Sequence, residues 1–214
     1  AMAVGVPAAD LTADFKGPCL NQQAIPSCVS HSMSHWMMTA QWQEERIARV
    51  FDASKLHVET GPIGQGRYPA EILKYAQANG APLLNSNARY KISSYAFAQP
   101  GSGWYETIKG SIALGRPVMI CFLIPQQYGW ESGGGMTQGY HENVVMGHDD
   151  NHVGGPSLLV LNSWGAVWGR GGYGWMPIAY LQKENYHRGL VLAHTPTDVR
   201  ETNPPPPPPP GVTI

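Results

Sequence analysis

The apolar pattern of this chain changes period near its middle, and that change limits the folds open to it more than any other feature. Over residues 28–51, Met33, Trp36, Met37, Ala40, Ile47 and Phe51 recur at spacings of three, four and seven. Glu44, Glu45, Arg46 and Arg49 fall between them, which predicts an amphipathic helix. Pro26 and Ser27 mark its start, with Ser27 as N-cap, so Cys28 falls in the first turn. Residues 60–69 hold three glycines and two prolines and read as an exposed loop. Further helices are predicted over 69–79, stopped by Gly80, and over 104–114, ended by Gly115. Beyond that point the runs are short, apolar and β-branched, at 117–124, 143–146, 157–162, 173–181 and 190–193, with glycine-rich turns between them. That is the pattern of a sheet. A helical first half and a β-rich second half predict an α+β fold of two packed lobes with a ligand cleft between them. The helical lobe covers about 15–95 and the β-rich lobe about 96–195.

Composition narrows the function. Charged residues make up only 14% of the 214 positions, the net charge is −1, and no basic run appears, which argues against nucleic acid or an anionic membrane as partner. A peptide or protein substrate is favoured. No apolar run reaches the roughly 18 residues needed to span a bilayer. Ala1-Met2-Ala3 reads as a cloning remnant. A preceding leader or pro-segment therefore stays open, and with it the compartment, an extracytoplasmic one being favoured. Residues 204–210 are seven consecutive prolines. They are expected to extend as polyproline II, a tail or linker over 204–214 that follows a catalytic domain over 1–203. Such a segment recruits aromatic-grooved partners, or lies in a cleft that binds extended peptides.

The three cysteines, Cys19, Cys28 and Cys121, cannot all pair within one chain, so at least one thiol is left over. In Asn21-Gln22-Gln23-Ala24-Ile25-Pro26-Ser27-Cys28 a thiol stands at the positive end of a helix with a side-chain amide six residues upstream. A helix N-terminus and a neighbouring imidazolium lower a thiol pKa, and the thiolate is the nucleophilic form. Acyl transfer also needs two donors for an oxyanion, and the Cys28 N–H and the Gln22 amide are candidates. In Gly139-Tyr140-His141-Glu142-Asn143-Val144-Val145 a histidine stands at the entry to a buried strand, where a general base would be held rigidly. Taken singly, each cluster is also compatible with a buried thiol and a satisfied polar histidine.

The third cluster is Asn162-Ser163-Trp164-Gly165-Ala166-Val167-Trp168-Gly169-Arg170-Gly171-Gly172-Tyr173-Gly174. It resembles the block around the catalytic asparagine in the papain family of cysteine peptidases. The resemblance spans about 15–195 and implies the family's two-lobe fold, with a helical N-terminal lobe and an antiparallel β-rich C-terminal lobe. It also implies amide hydrolysis through a thioester with no cofactor and no metal. Cys28 would be the nucleophile, His141 the base, Asn162 its orienter, Trp164 the shield of that hydrogen bond, and Gln22 an oxyanion donor. These residues stand in the family's order along the chain. The family's substrate-binding glycines look like Gly66 and its neighbours Arg67, Tyr68 and Pro69, and a specificity pocket is expected from Tyr68, Pro69, Gly139 and Tyr140.

The departures are specific. Ile25 stands where the family has a disulfide-bonded cysteine, the loop over 61–69 contains no cysteine, and Val29 replaces an aromatic. Arg67 stands in place of a second glycine, which predicts a taste for acidic side chains. These differences suggest a divergent, bacterial member. Three rivals compete. Cys28, His31 and His35 on one helix face are a possible zinc site. Glu142, Asp149 or Asp150 is a candidate third catalytic group, as in other thiol amidases and acyltransferases. A catalytically silent papain-like binding module is the last.

Overall fold

The computed structural model describes residues 8–98, 103–124, 139–182, 192–194 and 197–201. Its centre is helix α1, Cys28–Glu45, whose residues from Val29 to Gln41 are all buried. The predicted amphipathic helix is therefore a core helix, enclosed on every side over its first three turns. Small and polar residues such as Ser30, Ser32, Ser34 and Thr39 alternate with Met33, Trp36 and Met37, so neighbouring backbones can approach from several directions. It also ends earlier than 51. Arg46 takes a left-handed conformation (φ 57°) and its N–H closes on Trp42 O. Ile47 is then 45% exposed, and Phe51 is buried in an extended bridge to Leu83. The apolar spacing ran on past the helix because Phe51 enters the same core from a different backbone.

A short helix the sequence reading did not predict follows, α2 at Ala53–Glu59, capped by Asp52, whose carboxylate accepts Lys55 N–H at 2.9 Å. Helix α3, Pro69–Asn79, begins with Pro at its first position, and Glu71 takes the Tyr68 N–H at 2.7 Å. Helix α4, Trp104–Ala113, lies in the second half of the chain.

The strands are β1 (Ala9–Asp10), β2 (Ala81–Pro82), β3 (Arg89–Ser94), β4 (Phe97–Ala98), β5 (Val118–Ile124), β6 (Gly139–Asp149), β7 (Ser157–Leu161), β8 (Tyr173–Pro177), β9 (Leu192–His194) and β10 (Thr197–Glu201). The larger sheet is antiparallel in the order β4-β9-β5-β6-β7-β8, with β1 added along the end of β6; the smaller is β10-β3-β2. The run at 173–181 is a strand only to Pro177, after which the chain turns into a short helix at Ile178–Tyr180. The first and last described strands both cross over. β1 precedes the helices yet pairs with β6, and β10 follows the large sheet yet pairs with β3 beside the helices.

β6 carries the site at one end and β1 at the other, with a register shift between Val145 and Gly147 where β1 replaces β5 as its neighbour. A Cβ on Gly147 would stand 2.5 Å from Ala9 O, so only glycine admits β1 there. Gly147→Ala should destabilise the fold by about 1–3 kcal/mol. A fall in thermal midpoint would check this, and an unchanged midpoint would contradict the described pairing.

Candidate active site

Cys28 is the first residue of α1, and Ser27 occupies the N-cap position without capping. The Ser27 hydroxyl turns back to Ile25 O at 3.4 Å, which leaves the first amides of the helix to the site. The amides of Cys28, Val29 and Glu142 do hydrogen-bond towards the Cys28 sulfur and favour its thiolate. Burial and the Glu142 carboxylate outweigh them and push the thiol up to about 11. The lowered thiol pKa expected from the helix end is thus reversed in this resting geometry. Cys28, Cys19 and Cys121 are all free thiols.

His141 lies two residues into β6, 4% exposed, and burial lowers its pKa to about 4, opposed by the hydrogen bond it gives Asn162. The Asn162 side-chain oxygen receives both His141 Nε2, at 2.8 Å, and the Ser163 backbone N–H, at 2.7 Å. A backbone N–H only donates, so the group facing it is the amide oxygen, and His141 must offer its Nε2 as N–H. That assigns the tautomer and leaves Nδ1 as the basic nitrogen. Trp164 stacks on the imidazole (centroids 4.8 Å apart, planes 25°) and is braced edge-on by Trp168 at 5.5 Å, while Phe122 meets the ring from the neighbouring strand at 6.1 Å. The pair is shut away from water, which strengthens its hydrogen bond.

Gln22 is anchored from the same block. Its backbone N–H donates to Ser163 O at 2.8 Å, its side-chain oxygen accepts Ser163 Oγ–H at 2.6 Å, and its amide nitrogen donates to Ile25 O at 2.9 Å. Gly165 N–H returns to Leu20 O at 3.0 Å, and Cys19 Sγ–H to Asn162 O at 3.3 Å. Gly165 has φ +79°, the left-handed region that lets the chain turn back there. Residues 19–22 and 162–165 are therefore clasped together, and Leu20 N–H ties this clasp to α1 through His35 Nε2 at 2.9 Å. Ser163, to which the sequence assigns no role, orients the Gln22 amide. The only sequence signal for it was its place inside the block.

The loop over 60–68 lies beside the start of α1, since Gly66 faces Pro26 O, two residues before Cys28. Tyr68 is 78% exposed, Tyr140 is 56% exposed, and Pro69 is buried as the start of α3. Arg67 is turned into its own loop. Nε donates to Thr60 Oγ1, one terminal nitrogen to Gln65 O and Gly66 O, and the other to His57 O and Pro62 O, at 2.7–3.3 Å. All five guanidinium N–H groups are committed, so Arg67 shapes the loop that a disulfide would otherwise hold instead of offering a charge to substrate. His31 and His35 are packing groups: His31 Nδ1 meets Ser27 O at 3.0 Å, and His35 stands edge-on to Phe15 at 5.4 Å. Asp150 accepts from Tyr105 at 2.6 Å and from Lys109 at 2.9 Å, and the Asp149 carboxylate accepts Asn151 N–H at 2.8 Å. Glu142 alternates to the opposite face of β6 from His141. None of these three carboxylates is the group that orients the imidazole.

With this geometry in hand, the chain is similar to xylellain, a cysteine protease from Xylella fastidiosa. The TM-score is 0.71 and the identity 17%, over 90% of this chain and 86% of that one. It is also similar to procathepsin B S9 from Trypanosoma congolense (TM-score 0.67, 16% identity, 89% and 76% covered). A third is the proform of Amb a 11, a ragweed pollen cysteine protease (TM-score 0.69, 15% identity, 92% and 67% covered). These likenesses define the class: the chain has the papain-like fold. No family model matches the sequence.

Two outcomes follow. Replacing Arg67 with Met removes all five loop donors, so backbone amides over 60–67 should exchange with deuterium faster while α1 keeps its protection. Acid sensitivity is the second. Burial holds His141 at about 4 and His35 at about 3, whereas both titrate near 6.5 in the unfolded chain. As pH falls, the unfolded chain takes up protons first, so this stability is full above about 6.5 and is lost towards 4, by up to about 2 kcal/mol per imidazole at pH 5. Urea midpoints measured from neutral pH downwards should fall accordingly; a flat profile would contradict the buried neutral imidazoles.

Proposed function

We propose that this protein is a cysteine peptidase that cleaves peptide bonds through a thioester, with Cys28 as nucleophile, His141 as base, Asn162 as its orienter and Gln22 as an oxyanion donor. One observation carries the reading: the Asn162 oxygen, held by Ser163 N–H, fixes His141 as the Nε2–H tautomer under the Trp164 ring, so that Nδ1 is the basic nitrogen. With the thiol near 11 and the imidazole near 4, both partners rest neutral. Reaction therefore begins by moving the thiol proton to Nδ1 as sulfur bonds to the carbonyl carbon. The oxyanion then takes the Cys28 N–H and the second amide hydrogen of Gln22, the first being held by Ile25 O. His141 returns the proton to the leaving amine as the C–N bond breaks, and water hydrolyses the thioester.

Gly66 and Tyr68 on one side and Tyr140 and Trp164 on the other would flank an extended peptide, with Pro69 and Arg67 behind the first pair. A bacterial origin fits the likeness to xylellain, and an extracytoplasmic setting fits the likeness to proforms. No described helix is long and apolar enough to cross a membrane. A partner for the polyproline tail is part of the same proposal. The raised thiol pKa favours one other reading, a silent binding module. A thiol-directed epoxide and a peptide library separate the two. Cys28 should be labelled ahead of Cys19 and Cys121, Cys28→Ala should abolish cleavage, and Asn162→Ala should lower kcat by about a hundredfold or more. Labelling of Cys28 no faster than its neighbours, with no peptide cut, removes the peptidase.

A further inference from the structure

We infer that His35, beyond its packing, is a positioning residue for the oxyanion site: its imidazole, acting as a hydrogen-bond acceptor, holds residues 19–22 against α1 so that the Gln22 amide and the Cys28 N–H converge on one oxygen. This rests on the peptidase reading and adds a working part to it.

The two oxyanion donors belong to different pieces of the chain. The Cys28 N–H is at the head of α1, whereas Gln22 lies on the arm clasped to residues 162–165. That clasp consists of Gln22 N–H to Ser163 O, the bridge between Asn21 and Trp164, and Gly165 N–H to Leu20 O. It ties the arm to the block that carries Asn162. The bonds of the Gln22 side chain to Ser163 Oγ and Ile25 O then turn its amide. The arm is fixed along α1 by Leu20 N–H, through its 2.9 Å bond to His35 Nε2. The Leu20 peptide is thus gripped on both sides, its oxygen by the asparagine block and its N–H by the helix.

Cys28 and His35 stand seven residues apart, about two turns along the same side of α1. The helix therefore acts as a ruler, with the nucleophile at one mark and the grip on the arm at the other. The His35 ring is 0% exposed and meets Phe15 edge-on at 5.4 Å, so the grip itself does not swing. An acceptor nitrogen needs a lone pair, so His35 must be neutral with its proton on Nδ1, the reverse of His141. Burial keeps it neutral by lowering its pKa to about 3. An apolar side chain would fill the same space but leave Leu20 N–H without its acceptor. The arm could then slip, and a displacement of about 1 Å near a reacting centre costs on the order of a hundredfold in rate.

The test compares His35→Leu, which has no acceptor, with His35→Gln, which keeps one at the end of its side chain. Three readouts are used: hydrolysis of a coumarin amide of the sequence cleaved best in the peptide library, inhibition by the matching peptide aldehyde, and alkylation of Cys28 by iodoacetamide. The first two develop an oxyanion on the carbonyl; the third is a displacement at carbon and develops none. His35→Leu should lower kcat about tenfold or more with KM within about twofold, weaken the aldehyde by a similar factor, and leave the alkylation rate nearly unchanged. His35→Gln should recover most of the loss. An unchanged kcat in folded His35→Leu overturns the inference, as does a parallel fall in kcat and alkylation, which would make His35 a support for the fold alone. A wild-type chain that cleaves no peptide removes the peptidase reading and this inference with it. Nitrogen NMR of the wild-type imidazoles decides the matter even if the variants do not fold: His35 should carry its proton on Nδ1 and His141 on Nε2. A proton on His35 Nε2 overturns the inference.

Discussion

The packing of α1 against β6 is the constraint on which the other features depend. A helix buried from Val29 to Gln41 cannot shift without opening the core on several sides at once, and its polar groups bind it to specific neighbours. Ser32 reaches Glu142 O, Trp36 Nε1 reaches Pro117 O at 2.8 Å, and His35 receives Leu20 N–H. These three contacts touch the β6 strand, the entry to β5 and the arm that carries Gln22. The end of one helix, the start of one strand and one loop are thereby held in place by contacts to a single helix.

Electrostatics inside that frame are balanced between opposing terms. Three backbone amides aim at the sulfur and favour its charge, while burial and a neighbouring carboxylate resist it more strongly. The imidazole is held neutral by the same dry surroundings that strengthen its bond to Asn162. The thiol and the imidazole therefore both rest uncharged.

Much of this was legible in the sequence because it is local. Proline, serine and then an apolar rhythm mark the start of α1 at Cys28, and the Asn162–Trp164 motif has a spacing few other arrangements need. The two helices that begin at Pro69 and Trp104 have unambiguous stops in glycine. What escaped depends on contacts across the chain. Burial all around α1 cannot be inferred from a pattern that looks amphipathic, because Glu44 and Glu45 belong to its exposed last turn. The inward turn of Arg67 depends on carbonyls supplied by a loop whose path has no periodic signal. The short strands at Ala9, Ala81 and Phe97 are two residues long, below anything alternation can reveal. Glu142 is a matter of parity: once His141 is assigned to one face, its neighbour must occupy the other, but only the sheet register says what that other face adjoins.

The crossed termini have a mechanical meaning. The first described strand is stitched to the large sheet and the last described strand to the small one, so the path leaves and re-enters each half like a lace drawn through both sides of a shoe. Neither half can be excised as a continuous piece of chain without taking a strand from the other. Parting the two sheets would mean unpairing β1 or β10. A molecule laced in this way is expected to unfold as one unit.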